Sequence, residues 1–303
     1  KLPMGFGEAL TRFSLVAEDG SHPKYFVWTV HHALYDGWTL DLILKSVKEA
    51  YYGLMDRTRP DFGNKSDLEA GYNHFVKHVV EQNQKTSPVE AFWSSYFADA
   101  DSIVFPSIPS KGYEPKPDSS IEMDLKIQPK NDITMSTLLR GALSILLSQY
   151  TGSSDVVFGA TLSGRNAHVA NIDQIAGPTI TTIPIRCQVQ PDQNVDEFLD
   201  TQQKSATEMI PFELASLQQI SQINDECRLA CGFQTLLVVQ PDVNDFEDDE
   251  IIGQWQTKSL KEFTNYAITI EALLQHEGVT FRVGYDSAVT AVHERGWAAG
   301  EEH

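Results

Sequence analysis

The stretch Tyr25-Phe-Val-Trp-Thr-Val-His-His-Ala-Leu-Tyr-Asp-Gly-Trp38 decides how this chain is read. Its first six residues are β-branched or aromatic, the side chains that suit a pleated, half-covered strand. A similar run, Leu10-Thr-Arg-Phe-Ser-Leu-Val16, lies upstream across the turn-like Glu18-Asp-Gly-Ser-His-Pro23, so a hairpin is expected. Downstream the period changes. Leu40, Ile43, Leu44, Val47 and Tyr51 share one face of a helix that Gly53 can terminate. Strand, polar loop and helix thus follow one another, and a polar connection at a strand end is where a rigid scaffold often presents chemistry.

The loop admits two readings. On extended backbone the side chains of His31 and His32 point to opposite sides, so one can enter a cleft while the other packs behind it. Asp36 can then return to pin the turn, and Gly37 permits close approach or unusual backbone angles. Alternatively, Asp36 is the N-cap of the helix that follows, and one histidine is a satisfied core group. The residues alone leave both open.

Composition narrows the classes. Acidic residues outnumber basic ones 42 to 23, for a net charge of −19 over 303 residues. With no Lys/Arg cluster, a nucleic-acid partner is not expected. Six acids fall within Asp242–Glu250, which reads as a solvated, mobile loop. Three cysteines point to a reducing, cytoplasmic setting rather than a disulfide framework. Cys227 and Cys231 stand one helical turn apart without a second pair to complete a zinc site. His74 and His78 have the spacing of zinc ligands, but Phe75 occupies the place of the catalytic glutamate, so no metal is expected. No apolar run is long enough to span a bilayer, so no membrane partner is expected. The G-x-S-x-G, Walker and G-x-G-x-x-G signatures are missing.

Further along, an amphipathic stretch runs from Leu68 to Phe97. Phe105–Pro117 then carries four prolines and a glycine, which neither a helix nor a central strand tolerates. It is taken as a linker between an N-terminal part, 1–104, and a C-terminal part, 118–303. The expected elements after it are a strand at Ile121–Ile127, a helix at Ile133–Tyr150 closed by Gly152, and strands at Asp155–Leu162 and Thr179–Val189. Helices at Val195–Met209 and Ala215–Ile220 follow, then a strand at Phe233–Val239 and a final hairpin of Tyr266–Leu274 with Val279–Tyr285. This irregular alternation predicts an α+β architecture rather than a purely parallel sheet.

His31-His-Ala-Leu-Tyr-Asp-Gly37 resembles the HHxxxDG signature of the condensation domains of non-ribosomal peptide synthetases, relatives of chloramphenicol acetyltransferase. Tyr72-Asn-His-Phe-Val76, Ile175-Ala-Gly-Pro-Thr-Ile-Thr-Thr-Ile-Pro-Ile-Arg186 and Ile210-Pro-Phe-Glu213 occur in the family's order. Phe158-Gly-Ala-Thr-Leu-Ser-Gly-Arg-Asn166 and Phe233-Gln-Thr-Leu-Leu-Val-Val-Gln-Pro241 are similar to fungal synthetases.

The resemblance implies two acetyltransferase-like αβ sandwich lobes in a V, with the N-terminal lobe incomplete because only a short segment precedes His31. It implies an acyltransferase that forms amide bonds between carrier-bound thioesters. No directly bound cofactor is expected, since substrates arrive on 4'-phosphopantetheine. The partners would be donor and acceptor peptidyl carrier domains and an adjacent adenylation domain. By this resemblance His32 orients or deprotonates the attacking amine, and the Gly37 N–H faces the developing oxyanion. His31, Asp36 and Trp38 support the loop. Asp36 would pair with an arginine of the segment before this chain, so it is expected to lack that partner and the fragment alone to be inactive. Epimerising, terminally cyclising and non-catalytic carrier-docking domains of the same superfamily are the alternatives.

Overall fold

A computed structural model of the chain describes residues 4–5, 7–17, 22, 24–55, 65–84, 86–110, 112–127, 132–241, 264–276 and 278–290. They pack as two units. One gathers the described residues up to His78 together with His168–Ile180; the other gathers Val79–Ala167 and the described residues from Thr181 onward.

In the first unit the expected hairpin forms from β1 (Thr11–Val16) and β2 (Tyr25–Val30), with Thr11 opposite Val30 and Val16 opposite Tyr25. The period of two puts Phe13, Phe26 and Trp28 on one face, where the Phe13 ring stacks 5.9 Å from Phe26 and 6.5 Å from Trp28. Trp28 Nε1 donates across the pair to Thr11 Oγ1 at 2.9 Å. Helix α1 spans Gly37–Met55, starting before Leu40 and continuing past Gly53. One glycine costs only about 1 kcal/mol in a helix, too little to end one. Helix α2 spans Lys65–Gln84, and the division between the units falls within it.

The amphipathic stretch Leu68–Phe97 carries α2 and, over Thr86–Tyr96, α3. Helix α3 delivers Val89, Trp93 and Phe97 to the core of the second unit, where Trp93 and Phe97 are fully buried. The proline-rich 105–117 carries neither helix nor strand among its described residues and lies within this unit.

The second unit continues with β3 (Ser119–Leu125), α4 (Met135–Thr151), β4 (Asp155–Leu162), β5 (Thr181–Gln188) and α5 (Val195–Met209). Then come α6 (Leu217–Ser221), α7 (Asp225–Ala230), β6 (Thr235–Pro241), β7 (Ile268–Gln275) and β8 (Gly278–Tyr285). Thr134 caps α4 by accepting from the Thr137 N–H, and Gly152 ends it in the left-handed conformation, φ 69°. The strands form one sheet in the order β3-β8-β7-β6-β4-β5. Only β4 with β6 and β6 with β7 are parallel, which makes the fold α+β with a mixed sheet. Helix α7 was not anticipated; six residues around Cys227 are too few to show a period. The acidic run Asp242–Glu250 lies outside the described residues.

Inside this unit Arg186 is held in a nearly buried ion pair. Its Nη2 lies 2.7 Å from Asp155 Oδ2, Nε bonds the same carboxylate, and Nη1 donates to the carbonyls of Tyr96 and Ala98. The Tyr96 hydroxyl returns a bond to the Arg186 carbonyl at 3.1 Å, tying the end of α3 to β5.

Candidate active-site loop

Strand β2 ends at Val30, and the His31 N–H donates to the Leu10 carbonyl at 2.8 Å, extending the hairpin by one bond. The chain then tightens. His31 remains extended, whereas His32–Leu34 form a single 3-10 turn, so the two imidazoles do not alternate along a strand as expected. The reason is local: His31 Nδ1 accepts from the Ala33 N–H at 3.1 Å, which favours a turn over continued pleating. The exposed His32 ring stacks on Tyr35 at 4.7 Å and 11°. Among the described residues its nitrogens make no hydrogen bond.

Asp36 is 2 % exposed and caps α1. Its Oδ1 accepts from the Thr39 N–H at 2.7 Å, and its main-chain carbonyl accepts from the Leu40 N–H at 3.0 Å. The other carboxylate oxygen accepts from the Thr179 N–H at 2.9 Å and from the Thr179 hydroxyl at 3.4 Å. The carboxylate is therefore satisfied by the Thr39 and Thr179 donors of this chain. Gly37 is the first residue of the helix and is not among the positive-φ glycines, so the predicted unusual backbone is absent. What Gly37, an exposed residue, contributes is the N–H of the first helical position, where no intrahelical acceptor exists. Trp38, half-exposed, donates from Nε1 to the Asp173 carbonyl at 2.8 Å.

Three separately read motifs meet here. The segment 171–180 lies against the start of α1 and against α2. Thr39, 1 % exposed, donates its hydroxyl to the Gly177 carbonyl at 2.9 Å and accepts from the Gly177 N–H at 3.2 Å. The Tyr72 hydroxyl donates to the Pro178 carbonyl at 3.1 Å. The Tyr72 ring fills the space where a side chain at Gly177 would stand: a Cβ there would lie 2.2 Å from Cδ2. Burial first, then the nearby Asp36 carboxylate, raises the Tyr72 phenol above its usual pKa, keeping it a donor. Consecutive backbone groups of Gly177, Pro178 and Thr179 are thus each gripped by a side chain. Reading the sequence did not single out Thr39 or Thr179. Thr179 lies inside the quoted Ile175–Arg186 motif and Thr39 directly follows the quoted Tyr25–Trp38 stretch, with no spacing to link positions 138 and 143 residues apart.

The loop can present the exposed imidazole of His32 and a helix N-terminal N–H to a substrate, a pairing suited to orienting a nucleophile and stabilising negative charge on oxygen.

Comparison with known proteins places this loop in context. The family model described as "Condensation domain" matches residues 7–290. The chain is 39% identical over 287 residues to "Nonribosomal peptide synthetase TES" of Alternaria alternata, covering 94% of this chain and 5% of that protein. It is 36% identical over 293 residues to "Peramine synthetase ppzA" of Metarhizium rileyi, covering 95% of this chain and 10% of that one. The chain therefore spans a tenth or less of these two curated relatives. Among solved structures, the first condensation domain of the CDA synthetase superposes with a TM-score of 0.64 at 17% identity, covering 93% of this chain and 63% of that one. The match runs through the histidine loop, the Tyr72 helix and the 171–180 segment alike, and on that breadth the chain belongs to the condensation-domain family of nonribosomal peptide synthetases.

Proposed function

We propose that this chain forms an amide bond between two thioester-held substrates. The acceptor's α-amine attacks the donor's thioester carbonyl; a C–N bond forms, the C–S bond breaks, and the donor thiol leaves with the proton the amine gives up. The observation that carries this reading is the exposed His32, whose nitrogens make no hydrogen bond among the described residues, in a turn that leads into the N-terminus of α1. Its imidazole orients the incoming amine and accepts its proton. The Gly37 N–H donates to the carbonyl oxygen as it becomes anionic. His31, Asp36 and Trp38 hold the turn through the bonds to Ala33, Thr39, Thr179 and Asp173.

Family membership supports the same reading. The substrates would be delivered on the 4'-phosphopantetheine arms of donor and acceptor peptidyl carriers, with an adjacent adenylation domain selecting the amino acid. The chain itself holds no cofactor in this scheme. Its three free cysteines fit the reducing cytoplasm. Among the described residues no helix is long and apolar enough to cross a membrane. The test supplies the full-length protein with loaded donor and acceptor carriers and follows the acceptor by mass spectrometry. The mass of a dipeptidyl-carrier is expected; an acceptor whose amino acid is only inverted in configuration would make the domain an epimerase.

A further inference from the structure

We infer that Thr39 is a positioning residue for the reaction proposed above, acting through Gly177 to hold the start of α1 and the histidine turn in register. The inference rests on that reading of the site. Thr39 is the third helical residue, and its hydroxyl uses both of its hydrogen-bonding capacities on one residue, accepting from the N–H and donating to the carbonyl of Gly177. A hydroxyl engaged both ways has one rotamer and one place, unlike a single solvent-facing bond. Two residues later the Thr179 N–H meets the Asp36 carboxylate, which in turn caps the Thr39 N–H. Thr39, Gly177, Thr179 and Asp36 therefore close a ring of buried hydrogen bonds, and the Tyr72 ring prevents Gly177 from shifting toward α2. Gly37, whose N–H faces substrate in the proposed reaction, stands next to Asp36 and within the same helical turn as Thr39. If the ring opens, the first turn of α1 is free to fray, and the donor moves with it.

The pair Thr39→Val and Thr39→Ser isolates the hydroxyl. Valine keeps the branched shape and loses both bonds; serine keeps both bonds and loses a methyl group. In the full-length protein, single-turnover amide formation by Thr39→Val should fall roughly 10- to 100-fold, the scale expected when reacting groups are displaced by a fraction of an ångström to an ångström. The apparent KM for the acceptor carrier should stay within about twofold, because no substrate contact is removed. Thr39→Ser should retain the rate to within about threefold. A second readout needs no reaction: amide hydrogen exchange at Thr39, Leu40 and Thr179 should quicken about tenfold or more in Thr39→Val and remain protected in Thr39→Ser.

Unchanged turnover and exchange in Thr39→Val would overturn the inference, as would equal losses in both variants, which would assign the effect to the methyl group. His32→Ala, run in parallel, separates the two levels. If His32→Ala is slow while Thr39→Val turns over normally, only this inference falls. If His32→Ala turns over normally, the reading of the site falls and the exchange experiment alone decides the coupling.

Discussion

The carboxylate of Asp36 receives the backbone N–H of Thr179 at 2.9 Å from 143 residues along the chain, while its other oxygen caps the helix that Asp36 itself introduces. One buried side chain thus fixes both the first turn of α1 and the segment lying against it. Capping and functional roles, which the residues alone left as alternatives, coincide at the same atoms.

Replacing Asp36 by alanine removes a helix cap, worth about 0.5–2 kcal/mol, and leaves the donors of Thr39 and Thr179 without their acceptor at about 1–3 kcal/mol more. The expected outcome is a loss of about 2–4 kcal/mol, read by denaturant unfolding. Asp36→Asn keeps one acceptor oxygen and should lie between the variant and the wild type. A loss below about 0.5 kcal/mol for alanine would mean that the cap is replaceable by solvent.

Gly177→Ala places a methyl group against the Tyr72 ring, with Cδ2, Cε2 and Cγ all closer than 3 Å to the new Cβ. Overpacking of this kind costs about 1–3 kcal/mol. The cost should shrink when the ring is removed, so Gly177→Ala introduced into a Tyr72→Leu background should destabilise much less than in the wild type. Equal costs in both backgrounds would show that the ring is not what excludes a side chain.

Glu213 follows the Ile210–Phe212 turn and is 3 % exposed. Burial raises its carboxyl to about 7, against smaller lowering effects from a hydrogen bond with Asn166 and from the Arg140 charge. A carboxyl whose folded pKa exceeds its unfolded value binds more protons when folded, so stability declines as pH rises between those two values. Unfolding free energy should therefore fall from pH 4.5 toward pH 7 and level off above. Glu213→Gln should remove that component of the slope; an unaltered slope would assign it to other groups.

Much of the fold was legible because its signals are local. Strand β4 at Asp155–Leu162 and helix α5 at Val195–Met209 have the predicted limits, since an apolar run and a 3.6-residue period each stand between clear turn or capping residues. The 3-10 turn at His32 depends on one imidazole-to-amide bond from His31, which no propensity encodes. The site was half visible. His31, His32, Asp36, Gly37, Trp38 and Thr39 stand together in sequence, whereas Tyr72, Gly177 and Thr179 meet them only through tertiary packing.

His31 and His32 should separate in their effects. His31→Ala loses the acceptor of one exposed Ala33 N–H, so it should cost no more than about 1 kcal/mol and, by loosening the turn that carries His32, lower turnover far less than His32→Ala does. The most direct test of the account is the single-turnover rate of dipeptidyl-carrier formation by His32→Ala, with both carriers saturating and unfolding compared with the wild type. The account predicts a rate lowered by roughly 10²–10⁴ with stability unchanged. A wild-type rate from the folded His32→Ala protein would contradict it.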